Sequence, residues 1–140
     1  MNGPARRGID CRGLDAAVEA DERLASEVIL KARLLQDQQH PDEAAREYAL
    51  AAGVELRLAE ACEAQGLSDK SWVHRFGALR SKALAGNIHD AIALGEESLA
   101  RPDVPAALRQ RLREYVELLR IRRAQWSADL THATREPRTG

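Results

Sequence analysis

Gly86-Asn87-Ile88-His89-Asp90-Ala91-Ile92 decides how this chain folds. The glycine ends one helix and the asparagine caps the next. An aliphatic residue, an acid and an alanine then fill the first turn of an amphipathic helix. Leu99 and Pro102 close that helix. A weaker echo stands upstream at His40-Pro41-Asp42-Glu43-Ala44-Ala45, followed by Tyr48 and Ala51. Two breaks of this kind, each opening a helix with small residues on one face, predict stacked helical hairpins.

Composition points the same way. Only 4% of residues are aromatic, and strong helix formers (Ala, Leu, Glu, Arg) dominate. The expected class is all-α, with about five helices. A chain of 140 residues is one domain by length, with roughly two-thirds of its surface to bury. Arginine outnumbers lysine eighteen to three, which we attribute to a GC-rich bacterial genome. The net charge of −1 gives no global pull toward nucleic acid or anionic lipid. Its distribution is uneven: residues 1–13 sum to +2, residues 14–100 to −7 and residues 101–140 to +4. The basic end suits an acidic surface, that of a second copy included, or simply a solvated helix face.

Cys11 and Cys62 lack CxxC spacing. Cys62 falls among apolar residues and reads as a small hydrophobe, and a disulfide is not expected. No apolar run follows the charged N-terminus, so no signal peptide is read. No stretch nears the roughly 20 apolar residues of a membrane span. The expected location is the cytoplasm.

Along the chain, residues 1–13 read as a flexible lead, 14–130 as a single helical domain and 131–140 as a disordered tail. The first helix is expected from Asp15 to about Gln38, with Leu24, Val28, Ala32 and Leu35 as its stripe and Ile29 widening it. The second runs from about Pro41 to Gln65 and stops at Gly66. Its two apolar stripes, Tyr48/Ala52/Leu56/Ala59 and Ala51/Val54/Leu58/Ala61, place it centrally between neighbours. Gly53 inside it suggests close approach of another helix. Ser68 caps the third helix, which buries Trp72, Phe76, Leu79 and Ala83. Asn87 caps the fourth, with Ala91, Ile92, Gly95 and Leu99 inward. The fifth opens after Asp103-Val104-Pro105, carries Leu108, Leu112, Tyr115 and Leu119, and has Trp126 toward its close.

Residues 72–102 resemble a tetratricopeptide repeat, a 34-residue helix–turn–helix. The residues that carry the resemblance are Gly86, Asn87, Ile88, Ala91 and Pro102, with Ala32, Leu35, Ala44, Tyr48 and Ala51 in an upstream unit. The fifth helix begins near Ala106, one repeat after Trp72. The chain also departs from the pattern. Ala44 and Ala91 are 47 residues apart, Gly95 replaces a large aromatic, Arg113 replaces a small residue, and Pro102 comes one residue early. The resemblance covers about residues 25–126 and implies hairpins stacked into a superhelix with a concave groove. A generic antiparallel bundle is the alternative.

Chemistry is hard to find. His89-Asp90 looks like half of a metal dyad, but the matching histidine and aspartate are missing, and Asp90 reads as a first-turn acid. His40 reads as a turn residue and His74 as a helix-surface or partly buried residue. The histidines lack HExxH spacing, no phosphate-binding glycine loop occurs, and no nucleophile sits on a recognisable elbow. No catalytic, cofactor-binding or metal-ligating residue is expected, and no enzyme.

The resemblance implies a protein-interaction adaptor or scaffold. A partner peptide or helix would lie in a groove lined by Arg33, Gln36, Val73, Phe76, Arg80, Gln110 and Glu114. Arg33 and Arg80 would give charge-assisted bonds to an acidic ligand. Phe76 also fits a plain core role. One alternative is a self-associating structural protein, joined through the apolar face of helix two or five. A second is an arginine-helix regulator contacting nucleic acid through Arg109, Arg111, Arg113, Arg120, Arg122 and Arg123. Glu114 and Glu117 interrupt that stripe, and it lacks the aromatic interleaving of RNA binders.

Overall fold

The structure, a computed structural model, describes the backbone of residues 2–135 and the side chains of residues 16–133. Among these residues it is all-α. Its helices are α1 (Asn2–Asp37), α2 (Pro41–Ala64), α3 (Ser68–Leu84), α4 (Ile88–Ala100) and α5 (Ala106–Arg135). They form two compact units, Met1–Gly86 and Asn87–Gly140, where the sequence suggested one domain over 14–130. Helical backbone also occupies residues 2–13, expected as a flexible lead, so α1 begins well before Asp15. At the other end α5 continues through 131–135. Residues 136–140 of the expected tail, and the side chains of Cys11 and Asp15, lie outside the described residues.

One local device makes three of the breaks. Gln39, Gly66 and Gly86 all take left-handed φ, at 63°, 76° and 87°. After Gln39 and Gly66 the chain closes a Schellman turn. His40 N–H donates to Leu35 O at 2.8 Å and Gln39 N–H to Gln36 O at 3.0 Å. Leu67 N–H donates to Cys62 O at 2.9 Å and Gly66 N–H to Glu63 O at 3.0 Å. The residues that follow, His40, Leu67 and Asn87, share ψ between 61° and 69° and precede the next helix directly. None of the three makes a side-chain cap bond. Ser68 is therefore the first residue of α3 rather than its cap, and Asn87 holds its position through its backbone. Gln39 takes the left-handed conformation without being glycine, which costs roughly 1 kcal/mol or more.

In the first unit α2 lies between α1 and α3, as its two apolar faces predict. Val18 and Ala25 of α1 pack against Val54 and Leu58 of α2. Ala32 packs against Ala44 and Tyr48. The pairing is antiparallel, and alanine-sized side chains make it close. Ala32, Ala51 and Ala59 are each 0% exposed. The buried stripe of α1 is Val18, Ala25, Val28 and Ala32, so Leu24 lies off it and is exposed. Gly53 faces open space, with nothing near a would-be Cβ; no helix approaches it. On α3, Trp72 and Leu79 are buried while Phe76 is half-buried. The Arg75 guanidinium lies 5.6 Å from the Trp72 ring centre.

In the second unit α4 pairs with α5. Ala91, Ile92, Leu94 and Gly95 are buried on α4, and Leu112, Val116 and Leu119 on α5. Arg109 ties the two together. Its Nη1 donates to Leu99 O at 2.9 Å and its Nη2 to Arg101 O at 3.2 Å, satisfying carbonyls at the end of α4.

Candidate functional site

In the first unit α1 and α3 both pack on α2 and reach each other through side chains. Both are antiparallel to α2, so they run parallel to each other. Near one end, Glu22 of α1 meets Lys70 and His74 of α3. Near the other, Leu35 and Ala85 pack onto the same Ala32/Ala44/Tyr48 cluster. Five of the expected partner-binding residues lie on these two helices. Arg33 and Arg80 are exposed, and neither makes an ion pair among the described residues. Val73 is 67% exposed. Gln36 is exposed, and its Oε1 accepts a hydrogen bond from Tyr48 Oη at 3.1 Å. Gln110 and Glu114 lie in the second unit, exposed and bonded to each other at 3.0 Å.

Between these helices sits a polar cluster that sequence reasoning missed. Glu55 of α2 is 9% exposed. Its Oε2 lies 2.7 Å from His74 Nδ1. The other ring nitrogen, Nε2, is 3.6 Å from Glu22 Oε1, and Lys70 Nζ is 2.9 Å from that same oxygen. One imidazole thus links carboxylates from two other helices. The hydrogen bond to Glu55 raises the His74 pKa above its ordinary value, with Coulombic help from Glu55 and Glu22, against the opposing effect of burial. The hydrogen bond from Lys70 holds the Glu22 carboxyl below its ordinary range. Gly77 completes the arrangement, because a Cβ there would stand 3.0 Å from Glu55 Oε2. The available signal was a glutamate between the two apolar stripes of α2, with His74 and Gly77 one helical turn apart on α3.

Beside this cluster an open depression of about 430 Å³ follows Glu19, Glu22, Arg23, Ser26 and Glu27 of α1. Its lining is acidic, whereas Arg33 stands further along the same helix.

Cys62 is buried and unpaired, and burial pushes its thiol pKa up. Among the described residues no group of three His, Cys, Asp or Glu side chains is placed to hold a metal ion. No described helix is long and apolar enough to cross a membrane.

On α5 the expected arginine stripe is partly engaged. Arg109 binds the end of α4, and Arg120 pairs with Glu96 at 3.0 Å and with Glu117 at 3.6 Å. Trp126 is 66% exposed, and α5 continues past it to Arg135. Every described side chain from Arg120 to Ala133 is exposed.

In comparisons with known proteins, the chain matches no family model, no curated protein and no solved structure.

Proposed function

We propose that this chain is a non-enzymatic, tetratricopeptide-like interaction module, working in the cytoplasm as an adaptor or scaffold. Its first unit receives a partner peptide or helix along α1 and α3. The observation that carries this reading is that Arg33 on α1 and Arg80 on α3 are both exposed and without ion-pair partners among the described residues. The exposed Val73 lies on the same pair of helices. Exposed guanidinium groups on helices that also expose an apolar side chain suit a ligand with a carboxylate and an apolar anchor. The acidic depression at Glu19, Glu22 and Glu27 favours a basic residue at the ligand's other end.

Tagged protein, used to capture a native partner from source cells, tests this. Arg80→Glu should abolish capture and leave the circular dichroism unchanged. Undiminished capture by that variant sinks the proposal. The nucleic-acid alternative has less support, since two of its six arginines already serve α4.

A further inference from the structure

We propose that His74 is a proton-operated clasp between α1 and α3: charged, it draws Glu22 and its stretch of α1 toward α3, and neutral, it releases them. The two helices each pack on α2, and backbone contacts join α1 to α2 and α2 to α3 rather than α1 to α3. What links α1 to α3 differs at the two ends. At one end it is apolar, where Leu35 of α1 and Ala85 at the end of α3 pack onto the Ala32/Ala44/Tyr48 cluster. At the other it is ionic, where Glu22 Oε1 is met by Lys70 Nζ at 2.9 Å and by His74 Nε2 at 3.6 Å. Protonation acts on the ionic end and leaves the apolar one in place.

Two carboxylates share one imidazole. Glu55 of α2 faces Nδ1 at 2.7 Å and is 9% exposed, whereas the side chain of Glu22 on α1 is 32% exposed. Glu55 has the greater need of a donor, because water reaches it least. A neutral imidazole carries one proton, and Nδ1 keeps it for Glu55. Nε2 then turns a lone pair toward Glu22 Oε1, and attraction becomes repulsion. Loss of the proton is therefore felt at α1, while the bond between α2 and α3 survives. Lys70 still meets Glu22, but its half-exposed ammonium holds little by itself. The other titratable neighbours do not compensate. Asp21 is paired with Arg57 of α2 at 3.1 Å, and burial keeps the Cys62 thiol protonated. The hydrogen bond to Glu55, with Coulombic help from both carboxylates, raises the His74 pKa, so release comes above the ordinary 6.5. Glu22 also lines the open depression on α1, so its release reshapes that surface. This last consequence rests on the interaction-module reading above; the clasp does not.

Hydrogen exchange of the full chain without a partner, corrected for the chemical exchange rate, tests the clasp from about pH 5.5 to about pH 8.5. In wild type, exchange across residues 16–29 should accelerate by about three- to tenfold as pH rises, as expected for one partly exposed charged bond, while α2 and α3 stay protected. His74→Gln should show the faster rate at every pH. Glu22→Gln should abolish the pH dependence in α1, yet its His74 NMR titration should remain raised by Glu55. The proposal is overturned by wild-type exchange at residues 16–29 that does not change with pH, by a pH dependence that survives in Glu22→Gln, or by equal acceleration in all three helices, which is a general loss of stability. Because no partner is present, failure of the adaptor reading alters none of these rates.

Discussion

His74 Nδ1 and Glu55 Oε2 stand 2.7 Å apart, joining α3 to a carboxylate of α2 that is buried. A buried carboxylate needs a partner, and the imidazolium is the stronger one. Protonation of His74 and stability of the first unit are therefore linked. The folded pKa of His74 lies above its ordinary 6.5. Its contribution is complete below that ordinary value and disappears as pH rises through the raised folded value. Glu22 behaves oppositely, its folded pKa lying below the ordinary 4.5. Its contribution is present above that value and is lost as pH falls through the lowered one. The cluster should thus stabilise most between about 4.5 and 6.5. Thermal unfolding of wild type and His74→Gln across pH checks this. The gap between them should narrow toward alkaline pH, and a gap constant with pH contradicts the linkage.

Two glycines on neighbouring helices should respond differently to alanine. Gly53→Ala meets open space and should stabilise by up to about 1 kcal/mol, the helix-propensity difference. Gly77→Ala brings a Cβ to 3.0 Å from a carboxylate already fixed by His74. The Glu55 side chain must shift, and the propensity gain should be cancelled. Moreover, the NMR titration of His74 should fall back toward its ordinary midpoint in Gly77→Ala and stay raised in Gly53→Ala. Equal gains in stability from both substitutions would show that the Glu55 side chain moves aside freely.

How far the fold could be read from sequence depends on which signal each element carried. The breaks at Gly66 and Gly86 were legible, because glycine is favoured where φ turns positive. Central placement of α2 followed from its two apolar faces. The phase of α1 was not legible: Leu24 and Ala25 both continue a helical stripe, and the alanine won because only a small residue fits against Val54 and Leu58. Helix capping was misassigned at Ser68, since the turn geometry after Gly66 already determines where α3 begins. The Glu55–His74 pair escaped notice because pattern reasoning treats a glutamate inside a helix as solvated. Arg33 and Arg80 were legible as exposed positions, whereas exposure of Trp126 depended on the length of α4.

Arg109 should matter more than its place in an arginine-rich helix suggests. Its fork reaches two carbonyls, Leu99 O and Arg101 O, where α4 ends. Arg109→Met removes two charge-assisted bonds and should cost up to about 3 kcal/mol. Arg109→Lys should recover only part of that, because one ammonium does not reproduce the planar fork. Hydrogen exchange of the last turn of α4 is the sensitive readout. Unchanged exchange in Arg109→Met would mean that water replaces the guanidinium without cost.

Alanine at the helix contacts of the first unit sets how closely α2 can approach its neighbours. Ala51 is 0% exposed, whereas Ala49, two residues earlier on the same helix, is exposed. Leucine adds the same volume and nearly the same helix propensity at either position. Ala49→Leu should therefore leave the thermal midpoint almost unchanged. Ala51→Leu must push α2 away from its neighbour or force strained rotamers, at about 1–3 kcal/mol. The comparison separates packing from propensity, because both variants share the same chemistry and the same helix. Equal midpoints for the two would mean that α2 has slack at Ala51, and that alanine there reflects composition rather than fit.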